Sequence, residues 1–358
     1  MNQPLRVAVV GCGIGRYHID SWKKLEGQAG VLAVCDVDDA KAKETATEFK
    51  LLHAVSTLEQ LLRRDDIDVV DLCTPPFLHF EQIQDVLKAG KHVVCEKPLV
   101  SSLAEVDSLA TLEKASGKRI MPIFQCRFGH GLQKLKHLID LGLAGDAFLG
   151  TAETAWRRRA HYYEVPWRGK WKTERGGCIL SHAIHTHDML SYILGPAKSV
   201  FARTSTRVNP IEVEDCASAS LEMESGALVS LSVTLGSPEE ISRHRFCFRN
   251  FVAESGTAPY NNSADPWKFT GDSPELQKEI DQALTAFVPQ PEGFTGQFSR
   301  FCTALARGTE IPVTLADART SLELVTAIYA SSEEGKPVDL PITTTHSHYH
   351  NWLPKKGR

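Results

Sequence analysis

Through its first 125 residues the chain alternates short β-branched runs with stretches whose apolar residues recur at helical spacing. Parallel strands need a crossover helix between them, so this alternation predicts βαβ units and a doubly wound parallel sheet. Strands are expected at 6–10, 31–36, just before Ser56, and at 68–73, 92–96 and 119–124. Helices are expected over 40–49, 58–64, 80–88 and 103–116. After Phe128 the rhythm changes. A helix, a strand and a polar aromatic stretch over 156–175 lead to another helix, and then to extended segments at 199–207, 216–223, 228–235 and 246–252. Short turns such as Glu224-Ser225-Gly226 between them predict a large open, mostly antiparallel sheet in a second α/β domain. A last helix over 315–332, which can pack back on the first domain, ends at Gly335. The expected division is therefore a first domain at 1–125, a second at 126–341 and a polar tail at 342–358.

At 358 residues, with 42% hydrophobic and 23% charged side chains, two cores are expected. A net charge of -4 and a pI near 6.4 supply no single-sign field for nucleic acid or anionic lipid, and neither is an expected partner. No secretory leader pattern opens the sequence and no apolar run is long enough for a bilayer, which predicts a cytoplasmic protein. Nine cysteines, scattered singly without a C-x-x-C pair, fit reduced thiols better than disulfides or zinc.

Gly11-Cys12-Gly13-Ile14-Gly15 follows the first strand and opens a helix, with Arg16 next. In that context glycines allow a tight turn and let backbone amides approach a pyrophosphate. The spacing is one residue shorter than the usual G-x-G-x-x-G, so a purely structural turn is the competing reading. Asp36 ends the second strand, where a carboxylate accepts hydrogen bonds from ribose hydroxyls and repels a 2'-phosphate; the alternative is a helix cap. With Val37-Asp38-Asp39 following it, the expected cofactor is NAD rather than NADP. Thr74-Pro75 and Glu96-Lys97-Pro98 end the fourth and fifth strands, at the sheet edge where ligands bind. Lys97, fixed between a strand and a proline, is a candidate cation for the reacting centre; the bland reading is a surface lysine.

Far along the chain, Gly176-Gly177 opens a predicted helix over 178–190 on which Ser181, His185 and Asp188 share one face. An imidazole, with an ordinary pKa near 6.5, suits removal of a carbinol proton better than an unperturbed lysine. His185 is the expected base and Lys97 the electrostatic partner, with the roles exchanged if Lys97 is deeply desolvated; otherwise His185 is a core histidine. His182 and His187 stand near Cys178, but their spacing scatters them over different faces and no metal is expected. His346, His348 and His350 alternate in what reads as a solvated tail rather than a metal site. The stretch from Trp156 to Lys172 concentrates aromatic and basic groups suited to a sugar ring. It contributes Tyr163, which with Arg127 is a substrate candidate, against simple packing between domains.

These motifs, with His18, Thr74-Pro75 and His79, Gln125-Cys126-Arg127-Phe128, Val213-Glu214-Asp215 and the run from Tyr329 to Leu340-Pro341, resemble the glucose-fructose oxidoreductase, inositol dehydrogenase and MocA family over nearly the whole chain. The resemblance implies a Rossmann domain and then an α/β domain whose open sheet commonly serves oligomerisation. It also implies NAD(P)-linked oxidation or reduction of a sugar or cyclic polyol. Residues implied on the cofactor side are Gly11, Gly13, Ile14, Gly15, Arg16 and Asp36, then Thr74, Pro75, His79, Glu96 and Lys97, and finally Gln125 with the pair Trp167-Arg168. On the substrate side stand Arg127, Tyr163, Ser181, His182 and Asp188. Many members carry aspartate four residues before the histidine, where this chain has Ser181. The expected activity is NAD-dependent oxidation of a secondary hydroxyl of a sugar, glycoside or polyol by a homo-oligomer, a dimer or tetramer. Two other readings are transient oxidation by tightly held NAD without net redox, and a dinucleotide-binding sensor or repressor without catalysis.

Overall fold

The computed structural model describes residues 3–354, which divide into two compact units. In the first unit, strands β1 (Leu5–Val10), β2 (Ala29–Cys35), β3 (His53–Val55), β4 (Val69–Leu72), β5 (His92–Cys95) and β6 (Ile120–Pro122) alternate with helices α1 (Gly15–Lys23), α2 (Asp39–Phe49), α3 (Leu58–Leu62), α4 (His79–Lys88) and α5 (Leu103–Ser116). All strands pair in parallel, in the order β3-β2-β1-β4-β5-β6. The expected six strands are all present. Val7, Ala8 and Val9 of β1 are fully buried, as a central strand covered on both faces requires. Strand order reverses between β1 and β4, which opens a crevice at their carboxyl ends. Asp38, Thr57 and Ser102 start α2, α3 and α5 by accepting from the backbone N–H three residues on, as N-caps do.

The second unit holds helices α6 (His130–Asp140), α7 (Trp171–Glu174), α8 (Cys178–Ser181), α9 (Ile184–Leu194) and α10 (Pro274–Ala286). Its eight strands are β7 (Ala147–Arg157), β8 (Ala197–Ser205), β9 (Cys216–Met223), β10 (Leu228–Thr234), β11 (Gly236–Phe248), β12 (Phe251–Glu254), β13 (Lys268–Gly271) and β14 (Val338–Asp339), in the order β13-β12-β11-β7-β10-β9-β8-β14. Only the β7–β10 pair is parallel. The segment expected as one strand at 246–252 is a hairpin instead. Its turn is held by Arg249, paired with Asp146 at 2.6 Å, and by the Asn250 amide donating to the Leu143 carbonyl at 3.0 Å. Both partners lie a hundred residues away, beyond what local pattern reveals.

Two boundaries also differ from expectation. Helix α11 (Gly293–Arg307) and the chain to Arg319, early in α12 (Leu315–Glu334), belong to the first unit rather than to a continuous second domain. The cause is aromatic packing: Phe298 stacks on Trp22 with ring centroids 4.0 Å apart, and Phe294 lies 4.3 Å from His18. Gln297 completes the edge of β6, accepting from the Phe124 N–H at 3.1 Å and donating to the Pro122 carbonyl at 2.7 Å. Residues 342–354 are not a solvated tail, because Ile342, Tyr349 and Trp352 are buried in the second unit and His348 meets Glu333 at 2.8 Å; the rest of the expected tail lies outside the described residues. No helix of the described residues is long and apolar enough to cross a membrane.

Candidate active site

Gly11 sits at φ +99°, and a Cβ there would lie 2.6 Å from the Cys73 carbonyl oxygen, so β1 and β4 approach closely only because position 11 has no side chain. Nothing stands within 4 Å of a Cβ at Gly13, which leaves that side of the turn open to a ligand. Asp36 folds over the turn, accepting from the Cys12 N–H at 2.8 Å and the Asp38 N–H at 3.0 Å, with the Lys41 ammonium at 3.6 Å. Burial pushes its pKa up, but these N–H groups and Lys41 outweigh it and hold the carboxyl below its ordinary value. The cap of α2 is Asp38, so Asp36 remains a charged group beside the glycine turn. These features fit the adenosine half of NAD. Arg16 is turned to α2, where it meets Glu48, Thr45 at 3.1 Å and the Phe49 ring, and is therefore a brace between helices.

Lys97 follows β5 behind a buried ionic network. His18, with no exposed surface, points Nδ1 at Asp71 (2.9 Å) and Nε2 at Glu96 (3.1 Å), while the Trp22 indole N–H donates to Asp71 at 2.8 Å. The second oxygen of Glu96 accepts the Lys97 backbone N–H at 3.0 Å. Burial would lower the His18 pKa, yet Asp71 holds it well above the ordinary value, as expected for a ring flanked by carboxylates. The His18, Asp71 and Cys73 ligand atoms fall within 4.8 Å of one another. Burial pushes the Cys73 thiol far up, so a thiolate metal ligand is disfavoured and the hydrogen bonds account for the cluster. His79, expected beside the cofactor, is also buried; its ring bridges the Thr74 and Pro98 carbonyl oxygens at 2.8 and 2.9 Å and ties the two loops together. Thr74 itself meets Gln82 at 2.6 Å.

In the second unit the predicted helix over 178–190 is broken. The Ala183 N–H bonds back five residues to the Cys178 carbonyl at 2.8 Å, which inserts one extra residue between α8 and α9. At 3.6 residues per turn that rotates everything beyond it by about 100°. Ser181 is therefore off the stripe that carries His185 and Asp188. Asp188 is paired with Arg127: its two oxygens take the guanidinium at 2.8 and 2.6 Å, both residues are buried, and the guanidinium lies 4.9 Å from the Tyr192 ring.

The Gly176-Gly177 turn is held from beneath. Glu214 accepts from the Gly177 and Ile179 N–H groups at 3.0 Å and from the Tyr329 hydroxyl at 3.0 Å. A Cβ at Gly177 would lie 1.8 Å from the Glu214 carbonyl oxygen. Burial raises the Glu214 pKa to about 7, against those donors. Trp352 closes the column, 6.2 Å from Tyr329 and donating to the Arg175 carbonyl at 2.7 Å. His187 and His244 are buried and their pKa values lowered to about 3 and 4, by burial above all, so both are neutral core groups.

Around the preceding loop, His182 lies 5.7 Å from the Trp156 ring and 5.5 Å from Tyr162. Arg168 stacks on Tyr162 at 3.9 Å, with Trp167 at 5.2 Å. The Tyr163 hydroxyl and the Gln125 side-chain oxygen are buried without a hydrogen-bond partner, as groups awaiting a ligand would be. Sequence reasoning missed Asp71, although a carboxylate inside the run Val69-Val70-Asp71-Leu72 is a strong signal of a buried partner. His18, Glu214 and Tyr329 entered only through the resemblance, and Arg158 only as part of a basic stretch.

The chain matches the NAD-binding Rossmann model of the GFO/IDH/MocA oxidoreductase family over residues 5–124 and the family's C-terminal domain model over 132–249. It is 30% identical to a myo-inositol 2-dehydrogenase of Thermotoga maritima over 233 residues, 63% of this chain and 66% of that protein. A D-glucoside 3-dehydrogenase of Escherichia coli is 26% identical over 376 residues, covering 95% of this chain and 98% of the relative. The crystal structure of the WlbA dehydrogenase of Bordetella pertussis, in complex with NADH and UDP-GlcNAcA, superposes with a TM-score of 0.84 at 27% identity, over 95% of this chain and all of that one.

Proposed function

Since the chain belongs to the GFO/IDH/MocA family of NAD-binding oxidoreductases, of the sugar or polyol dehydrogenase type, we propose that it oxidises a secondary hydroxyl of a sugar, glycoside or cyclic polyol. When bound, NAD supplies the acceptor for the hydride that leaves the carbinol carbon. Gly11, Gly13, Gly15 and Asp36 are the residues to hold its adenosine half, and the open face of the glycine turn supports that placement.

In this reading His185 takes the hydroxyl proton as the C–H bond breaks, and the Lys97 ammonium stabilises negative charge on the oxygen. One observation carries the assignment: the Lys97 backbone is anchored to a carboxylate that a buried imidazole holds in place, which is costly scaffolding for a surface lysine. Ser181 stands where many relatives have aspartate, so His185 works here without a second carboxylate four residues before it. Self-association through the second sheet and a cytoplasmic location belong to the same proposal. Leu149 and Leu228, cross-strand neighbours on β7 and β10, are exposed and support pairing of two copies.

The test is NADH formation from NAD across a panel of neutral sugars, inositols, glycosides and sugar acids. Lys97→Ala and His185→Ala should each lower kcat/KM at least about a hundredfold, the scale of lost acid-base catalysis. Wild-type rates in both variants overturn the assignment.

A further inference from the structure

Residues 156–175 carry seven arginines and lysines against two acids, Glu164 and Glu174, in a chain of net charge -4. Of the seven, Arg158 forms an ion pair with Glu240 at 3.1 Å. Its side chain is 12% exposed, and its guanidinium lies 5.2, 5.1 and 5.6 Å from the rings of Trp156, Tyr162 and Tyr260. Arg168 lies against the same Tyr162 ring and donates to the Tyr162 carbonyl at 3.3 Å. In both residues the Nε–H is buried without an acceptor. Two guanidiniums thus share one aromatic ring, with Glu240 paired to Arg158 and the buried Glu174 carboxylate accepting the Gly169 N–H beside Arg168, and each guanidinium retains an unused donor.

The two guanidiniums are short of acceptor oxygens, and the stretch that carries them is short of negative charge. A neutral sugar brings the acceptors but not the charge, whereas a carboxylate or phosphate brings both, and guanidinium recognises either group well. The place is also informative, because Trp156 and Tyr162 both lie against His182, three residues before His185. We propose that the substrate is an anionic carbohydrate, bearing a carboxylate or a phosphate, whose charged group is held by Arg158 and Arg168 beside His182. This rests on the sugar-oxidising reading above and narrows it.

The cofactor's own pyrophosphate is another anion, so the measurement uses enzyme saturated with NADH. Calorimetric titration compares D-glucuronate, D-glucose 1-phosphate and D-glucose, and the tighter of the two anions identifies the charged group. That anion should bind at least about tenfold more tightly than glucose, the scale of one charge-assisted hydrogen bond. In Arg158→Gln or Arg168→Gln the advantage should shrink to about threefold or less. Equal binding of glucose and both anions, no binding of any of the three, or an advantage that survives both substitutions overturns the proposal. NADH affinity reports whether each variant is folded. If neither is, the wild-type preference itself must fall severalfold between about 0.05 and 0.5 M NaCl, and a salt-independent preference overturns it. NADH formation with the same three compounds tests the parent reading separately. Turnover of glucose with no anion preference sinks only the charged substrate, whereas selective anion binding without any hydride transfer sinks the oxidation.

Discussion

The segment carrying Lys97 and the segment carrying His185 are held in place by opposite means. Behind Lys97 stands a buried ionic network, two carboxylates bridged by one imidazole, with almost no access to water. Beneath the Gly176-Gly177 turn stands a column of a raised-pKa carboxyl, a tyrosine hydroxyl and a tryptophan ring. The first fixes charge as well as position, and it fails abruptly when one member is lost, because the remaining charges have no solvent to turn to. The second fixes position by packing and N–H donation, and it yields by degrees.

The sharpest way to break this contrast is His18→Gln, which leaves Asp71 and Glu96 buried without their cation. Loss of about 3–5 kcal/mol in urea denaturation is expected, and a loss under about 1 kcal/mol would mean the network is not ionic. Because the folded His18 pKa is raised, its stabilisation is complete below the unfolded value near 6.5 and is lost only as pH rises through the higher folded value. Wild type should therefore weaken at alkaline pH more steeply than the variant.

Next in size is Trp352→Ala, for which about 3 kcal/mol is expected from the cavity and the lost donor to Arg175. Here kcat should fall more than KM rises, since the column positions the His185 segment; an unchanged kcat would confine Trp352 to stability. The smallest effect belongs to Glu214→Gln, at about 1 kcal/mol or less near pH 5. With a folded pKa of about 7 against an ordinary value near 4.3, Glu214 stabilises fully below the lower value and loses that contribution as pH rises through the upper one. Glutamine imitates the protonated form at every pH. The stability gap should therefore close or reverse between about pH 5 and 8, and a gap that widens would show that the charged form is the one held.

Much of the first unit is legible without coordinates, because βαβ periodicity is local: each strand, helix and terminal loop is written in some ten consecutive residues. The glycine turn at Gly11, the acid at Asp36 and the position of Lys97 after the fifth strand are legible in that way. Periodicity was blind to the break before Ala183, since helical spacing is intact on either side of one inserted residue and only the phase changes. It was equally blind to Arg127 and Asp188. Each reads in the sequence as a substrate-side group, and their pairing is decided by two segments 61 residues apart.

Sequence alone determined the architecture of the first sheet, the glycine turn and the acid beside it, the lysine after the fifth strand and the presence of a distant imidazole, all carried by short-range pattern and residue chemistry. Tertiary structure decided which polar groups are spent on one another: His18 on Asp71 and Glu96, Arg127 on Asp188, Glu214 on the Gly177 turn, with Arg158 and Arg168 left with donors to spare. The reason is that burial cost falls on pairs, and a pair exists only once remote segments have met.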